Sequence, residues 1–316
     1  MGQRSVLKAD VLLLITALIW GFAFVAQRAG MDHLGPYYFN AIRFTLGALS
    51  LVPLWIVTGR RPAAPTRTGT SGRTYLIVGG LAGAILFLGA SLQQVGLVYT
   101  TAGNAGFITG LYVVLVPILG LWVGMKTDAG TWIGAVLAAL GLYLLCVSAQ
   151  FSIAFGDLLN LIGAFFWASH VLVIARYAPR MQAVRLAFIQ YTFCALLSFT
   201  AGGILETVTW QGVEGALIPL LFGGVASVGI AYTLQVQAQK NAPPSHAAIL
   251  LSMEAVFAVL GGWWLLDEQL SLRSALGCGL MLTGMLLSQT GLGGLFVRPK
   301  GPVPGNLPED VSRIGP

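Results

Sequence analysis

Apolar residues gather along this chain into ten runs, separated by short stretches that hold most of the charged residues and many of the prolines. The runs lie near residues 10–30, 36–57, 74–95, 102–124, 130–148, 156–175, 183–203, 214–236, 244–266 and 272–291. A bilayer core about 30 Å thick is crossed by roughly 20 apolar residues in helical form. The pattern therefore predicts an all-α polytopic membrane protein with ten transmembrane helices. The spans consume most of the chain and leave no room for a separate soluble domain. The longest polar stretches are 58–73 and 297–316, and the Pro- and Gly-rich tail at 297–316 is expected to be a disordered cytoplasmic segment. The first run is too long for a signal-peptide core, and a second span follows almost at once, so a cleavable leader is not expected.

Composition strengthens this picture. Hydrophobic residues make up 56% of the chain and charged residues 9%, against about 25% charge in a soluble domain. Lipid is the main solvent this surface suits. The three cysteines, Cys146, Cys194 and Cys278, sit inside apolar runs. They form no CxxC pattern, and neither a disulfide framework, a metal site nor a cofactor is expected. The net charge of +6 does not point to nucleic acid, because the basic residues are spread over alternate loops.

Those loops orient the chain. With a cytoplasmic N-terminus, the inside segments hold Arg4, Lys8, Arg60, Arg61, Arg67, Arg73, Lys126, Arg176, Arg180, Arg185, Lys240, Arg298, Lys300 and Arg313. The outside segments hold Arg28 and Arg273. An asymmetry this strong follows the positive-inside rule. It places both termini in the cytoplasm and requires an even number of spans.

The chain also repeats itself. Asp10 precedes Trp20 in DVLLLITALIW, and Asp157 precedes Trp167 in DLLNLIGAFFW, at an offset of 147. Gly134 and Gly141 match Gly277 and Gly284 at 143, and Trp122 matches Trp264 at 142. Offsets this close imply one five-helix unit present twice. Five is odd, so the second copy sits upside down relative to the first. Inverted repeats characterise many secondary transporters, whose sites lie near the membrane midplane between the repeats. Small-xxx-small pairs (Gly79/Gly83, Gly106/Gly110, Gly120/Gly124 and Gly130/Gly134) are read as helix-packing positions.

ADVLLLITALIWGFAFV with PYYFNAIRFTLGAL near the start, and SHAAILLSMEAVFAVLGGWWLLDEQLS with ALGCGLMLTGMLL near the end, resemble the EamA branch of the drug/metabolite transporter superfamily. The resemblance covers two segments, 10–148 and 156–290. Glu254 within span nine, Glu268 just after it and the stretch from Gly277 to Gly284 match that family's closing helices. The resemblance implies a ten-helix inner-membrane carrier, usually an exporter of small metabolites such as amino acids. The chain departs from the family at Lys126, where repeats often carry Glu after the fourth helix.

Depth selects candidate residues. Ten positions into a span is about 15 Å, near the midplane, which picks out Trp20, Trp167, Tyr112 and Glu254. Tyr112 and Glu254 are also repeat partners, since 254 − 112 = 142. A carboxylate at this depth persists only when paired, protonated or facing a wet cavity. Glu254 is therefore read either as a proton carrier or anchor for a substrate amine, or as a hydrogen-bonded structural group. Arg43 could bind a substrate carboxylate, pair with an acid or snorkel outward. His170 shares a helix face with Trp167, and serves either a proton relay or substrate contact, or the bundle's own packing. Asn104 and His246 are repeat partners in the first turns of spans four and nine. They suit helix caps, or anion contact if those helix ends face a cavity. Gln93 and Gln235, partners at 142, either line a pathway or fix helix ends. Pro117 suggests a kink near Tyr112.

The leading expectation is a secondary transporter of a small molecule, an amino acid or drug-like compound, working by alternating access with lipid and protons as further partners. Monomer and homodimer both fit. A lipid or glycolipid flippase, or its accessory subunit, is the alternative. A polytopic enzyme would need catalytic groups in its loops. Asp32, His33, Glu206, Glu214, Asp267 and Glu268 are available there, but no HExxH, GxSxG or Walker-type pattern occurs. No ring of like charge or filter sequence indicates a channel.

Overall fold

The structure, a computed structural model, describes residues 3–59, 71–100, 102–146, 155–257, 260 and 272–294. The tail, Glu268 and the side chain of Asn104 lie outside the described residues. Among those described, every regular element is a helix. The first half contains α1 (Gln3–Gly30), α2 (Pro36–Gly59), α3 (Gly72–Tyr99), α4 (Ala102–Gly110), α5 (Tyr112–Trp122) and α6 (Ala129–Cys146). The second contains α7 (Phe155–Tyr177), α8 (Ala183–Leu205), α9 (Trp210–Gly215), α10 (Leu217–Leu221), a widened π-helical segment (Phe222–Tyr232), α11 (Thr233–Ala238), α12 (Pro244–Ser252) and α13 (Leu272–Gly294). Among the described residues, six stretches are long and apolar enough to cross a membrane: Val6–Gly30, Pro36–Val57, Gly72–Tyr99, Phe155–Arg180, Ala183–Leu205 and Leu217–Ala238. Shorter apolar helices occupy Ile108–Trp122, Ala129–Leu144 and Ala275–Ser288. The chain is a multi-pass membrane protein.

Burial is reversed relative to a water-soluble fold. Leu49, Leu76, Ile77, Leu196 and Leu276 are more than half exposed, while Arg43, Gln190 and Glu254 are buried. Apolar side chains facing outward lose nothing in lipid, so polar groups collect where other helices can satisfy them.

Two glycine rows settle how α6 meets α13. A Cβ on Gly134 would stand 2.6 Å from the carbonyl oxygen of Gly284, and a Cβ on Gly284 would stand 2.6 Å from that of Gly134. A Cβ on Gly141 would meet the carbonyl of Gly277 at 2.6 Å. The four glycines of the sequence match thus meet in space with partners exchanged, Gly134 on Gly284 and Gly141 on Gly277, as antiparallel helices require. Lipid gives helices no hydrophobic drive to associate, so this backbone approach is the source of their attraction. Gly79 and Gly83 similarly admit Ile189, Gln190 and Phe193 of α8 against α3. Gly124 differs from the packing role expected of it. Its φ is 77°, nothing lies within 4 Å of a Cβ there, and the Met125 amide bonds back to the Gly120 carbonyl. It ends α5 as a left-handed cap.

Pro117 is inside α5, and the interruption expected near Tyr112 lies at Leu111, directly before it. A second break falls at Met253, directly before Glu254. Leu111 has φ −61° and ψ −12°, and Met253 has φ −60° and ψ −11°. The two breaks share one geometry, 142 residues apart (253 − 111).

Glu206, at the end of α8, accepts the Tyr37 amide on Oε1 at 3.0 Å and the Tyr38 amide on Oε2 at 2.9 Å. Its carboxylate thereby satisfies free amides at the start of α2.

The glycine contacts yield a paired expectation. Gly134→Ala forces backbone against backbone and should lower the melting temperature in detergent and weaken α6–α13 packing. Gly203→Ala, with nothing within 4 Å of its Cβ, should be neutral or stabilise by up to about 1 kcal/mol through helix propensity. Thermal unfolding of the two variants side by side checks this.

Candidate functional site

The helices surround one cavity near the middle of the bundle. Its wall is built by Trp20, Phe24 and Gln27 of α1, Arg43 of α2, Gln93 of α3, Thr109 of α4, Tyr112 of α5, and Trp167, His170 and Val171 of α7. Ser227 and Tyr232 of the π-helical segment, Gln235 of α11, Leu251 of α12 and Glu254 complete it. The cavity measures about 40 Å³. That exceeds the ~10–15 Å³ a water needs and falls short of the ~150 Å³ that admits benzene. In this conformation the space suits water and has to widen for anything larger.

Most of the wall comes in pairs. Trp20 and Trp167 stand 147 residues apart, as do Phe24 and Val171. Gln93 and Gln235, Thr109 and Leu251, and Tyr112 and Glu254 stand 142 apart. All ten face the same cavity. The interruptions at Leu111 and Met253 present Tyr112 and Glu254 to it, and the Tyr112 hydroxyl donates to Glu254 Oε1 across a long 3.4 Å. Broken helices at a central site are the form in which membrane proteins expose polar groups at depth.

The pairs are not chemically equal. Gln93 is engaged at both ends: its Oε1 accepts the Trp167 indole N–H at 3.0 Å, and its amide donates to Gln27 Oε1 at 3.1 Å. Gln235 keeps an Oε1 without a hydrogen-bond partner among the described residues, and so do Thr109 Oγ1 and His170 Nδ1. His170 Nε2 lies 3.0 Å from Gln190 Oε1. Trp20 donates to the Ser227 carbonyl at 3.3 Å. Tyr232 sits between the two tryptophans, its ring centre 4.5 Å from that of Trp20 and 6.0 Å from that of Trp167.

Arg43 is 2% exposed. Its Nε donates to Asn40 Oδ1 at 2.8 Å, and its guanidinium lies 5.0 Å from the Phe44 ring centre and 5.8 Å from that of Phe39. Aromatic faces partly compensate a desolvated cation. No carboxylate lies within 4.0 Å of it among the described residues. The segment IRFTLGAL at 42–49 aligns with IQYTFCAL at 189–196, again 147 apart, so the neutral Gln190 occupies Arg43's place in the second half.

Eight of the residues selected from sequence therefore meet at one cavity: Trp20, Arg43, Gln93, Tyr112, Trp167, His170, Gln235 and Glu254. His246 is not among them. Its Nε2–H donates to Asp10 Oδ1 at 2.9 Å, and its Nδ1 is 3.1 Å from the Ser288 hydroxyl. Sequence reasoning passed over Tyr232, Gln27, Thr109 and Ser227. Thr109 stands three residues before Tyr112, a spacing that shares a helix face, and that is the signal that could have found it. Tyr232, which has Ala90 at the 142 offset, gave no such signal. In the loops, Asp32 pairs with Arg28 at 3.1 Å on the surface and Glu206 is occupied by the α2 amides.

A bundle of apolar helices that leads buried polar groups of both signs to a small central cavity is the architecture of a membrane transport protein. The model of the EamA-like transporter family matches the chain twice, over residues 7–147 and 154–290, and the chain belongs to that family. An uncharacterized transporter of Archaeoglobus fulgidus is 32% identical over 286 residues, covering 89% of this chain and 85% of its own. A shorter relative, the probable 4-amino-4-deoxy-L-arabinose-phosphoundecaprenol flippase subunit ArnE of Erwinia tasmaniensis, is 35% identical over 92 residues, 28% of this chain and 85% of its own. One solved crystal structure superposes with a TM-score of 0.70 at 19% identity, covering 89% of this chain and 96% of its own. That likeness shows the fold alone.

The unequal glutamines give a second expectation. Gln93→Leu strands the Trp167 N–H and the Gln27 carbonyl in a buried setting, which should cost about 1–3 kcal/mol and appear as a lower melting temperature. Gln235→Leu breaks no bond to its Oε1 and should melt near wild type. A larger fall for Gln235→Leu than for Gln93→Leu would contradict this division.

Proposed function

We propose that the chain is a secondary carrier that moves a small zwitterionic metabolite, an amino acid or an amine-bearing drug-like compound, across the inner membrane by alternating access. The observation that carries this reading is the cavity, lined by matching positions of both halves yet polarised, with Arg43 contributed by the first half and Glu254 by the second. Their counterparts, Gln190 and Tyr112, are neutral as ordinarily protonated. A ligand with a carboxylate for Arg43 and an ammonium for Glu254 complements that polarity, and the rings of Trp20, Trp167 and Tyr232 offer it flat apolar walls.

The architecture that fits is ten membrane-crossing helices in two inverted five-helix repeats, 10–148 and 156–290. Support comes from the doubled family match, the shared dihedrals at Leu111 and Met253, and the reciprocal contact of Gly134 with Gly284. With the basic loops inside, both termini are cytoplasmic. Export is the direction that family membership favours. Glu254 is the group placed to exchange protons with substrate, because it is buried, faces the cavity and has the Tyr112 hydroxyl as its partner.

A second reading, a lipid or glycolipid flippase or its accessory subunit, rests on the likeness to ArnE over 92 residues. A ligand of that kind would need a lateral opening into the bilayer.

Thermal-shift screening of purified protein against amino acids, sugars, nucleosides and cationic drugs should return stabilisation by compounds bearing both charges. Counterflow of a labelled hit into proteoliposomes should follow, and Arg43→Met should abolish it. Stimulation by an imposed pH gradient should be lost in Glu254→Gln. Gradient dependence like wild type in that variant would remove the proton-carrier role. Translocation of a labelled polyprenyl-phosphate glycolipid without any small-molecule counterflow would favour the second reading.

A further inference from the structure

Beyond the cavity, two buried polar ties join the halves, one toward each end of the bundle. At one end Asp10, near the start of α1, accepts from His246 at the start of α12, and His246 also meets Ser288 of α13. All three are at most 9% exposed. At the other end Asp157, near the start of α7, accepts from the Thr100 hydroxyl at 2.6 Å. Gly96 and Gly156 close the same end, where a Cβ on Gly96 would stand 2.9 Å from the Gly156 carbonyl.

The separation of the ties follows from α1. Gln27 lies seventeen residues beyond Asp10, about 25 Å along the helix. The Gln27 carbonyl accepts from Gln94, six residues before Thr100. Each aspartate also precedes its cavity tryptophan by ten residues, Asp10 before Trp20 and Asp157 before Trp167, or about 15 Å. The ties therefore flank the cavity on opposite sides. Each crosses between the two family-matched segments, 7–147 and 154–290. The aspartates occupy equivalent positions of the repeat, and they are the two buried carboxylates besides Glu254 among the described residues.

We infer that Asp10–His246–Ser288 and Asp157–Thr100 are the two gates of the carrier, each closing one mouth of the cavity. Opening toward either side separates the halves at that end, which requires the tie there to break while the opposite tie holds. The present conformation has both made, with a cavity between them of about 40 Å³. The inference rests on the alternating-access reading but needs no substrate for its test.

The experiment uses the full chain in sealed proteoliposomes, with Cys146, Cys194 and Cys278 replaced by Ala and Ser227→Cys as the reporter in the cavity wall. A small charged methanethiosulfonate that cannot cross lipid is applied from one face or the other. Asp10→Asn and, independently, His246→Gln should raise labelling about tenfold from the face carrying the chain termini, because either change weakens one charge-assisted bond and shifts the population toward that opening. Asp157→Asn and Thr100→Val should raise it from the opposite face. Hydrogen-exchange mass spectrometry on the same variants should show faster exchange at the altered end only, which separates an opened gate from a loosened fold. Labelling that rises from both faces at once, rises from the same face for both ties, or stays at the parent rate would overturn the inference. These outcomes are independent of counterflow, so the gates and the carrier reading can fail separately.

Discussion

A polar group carried into hydrocarbon must find a partner or water, and this constraint arranges the interior of the molecule. Gln93 finds Trp167 and Gln27, Glu206 finds the first amides of α2, Asp10 finds His246, and Asp157 finds Thr100. Unpaired polar atoms cost several kcal/mol in such a setting, so the exceptions carry information. Thr109 Oγ1, His170 Nδ1 and Gln235 Oε1 lack partners among the described residues, and all three residues border the cavity. Seven further buried atoms, Asn40 Nδ2 and Asn160 Oδ1 among them, also lack partners there, so the cavity holds only part of the hydrogen-bonding capacity that the bundle leaves unspent.

The backbone obeys the same constraint. A helix can be interrupted in a membrane only where protein or a cavity receives the freed groups. The interruptions at Leu111 and Met253 meet that condition, since both are flanked by buried residues and open on the cavity. The two breaks share their dihedrals but carry different chemistry, a phenol after one and a carboxylate after the other. The paired wall accompanies the doubled family match, and Arg43 and Glu254 give that wall its polarity.

Much of this was legible in sequence, and the reasons are specific. Trp20, Trp167, Tyr112 and Glu254 were found by counting helical rise from the span edges, which works because a transmembrane helix has a fixed pitch and a known start. The glycines at 134, 141, 277 and 284 were recognisable as two matching pairs, although nothing in their spacing said that Gly134 would meet Gly284 and Gly141 would meet Gly277. His246 was placed at a helix start correctly, but a helix start lies near a membrane face, so it joined Asp10 rather than the midplane residues. Pro117 pointed to a kink near Tyr112, and a break lies beside it at Leu111, whereas the break at Met253 was not legible, because no proline follows it in its span. Tyr232 was hidden for a different reason. It belongs to a stretch whose hydrogen-bond register widens into a π-helix, and that turns side chains away from the face that a 3.6-residue period assigns.

Under the proposed alternating access, the position of the two aspartates has an energetic consequence for the cycle. Each tie is a hydrogen bond to a buried carboxylate, a class worth roughly 1.5–3 kcal/mol. If both were required at all times, the cavity would stay sealed. If neither formed, the halves would part and let solvent through. A carrier needs states in which one is broken and one is kept, at free energies close enough for thermal exchange. Under the proposed inverted repeat, ties at equivalent points bring the two singly opened states close in cost, and the pseudo-symmetry of that arrangement sets the two-sidedness of the motion. An imidazole that also meets a serine at one end, and a threonine hydroxyl among the contacts at the other, bias which face opens more readily.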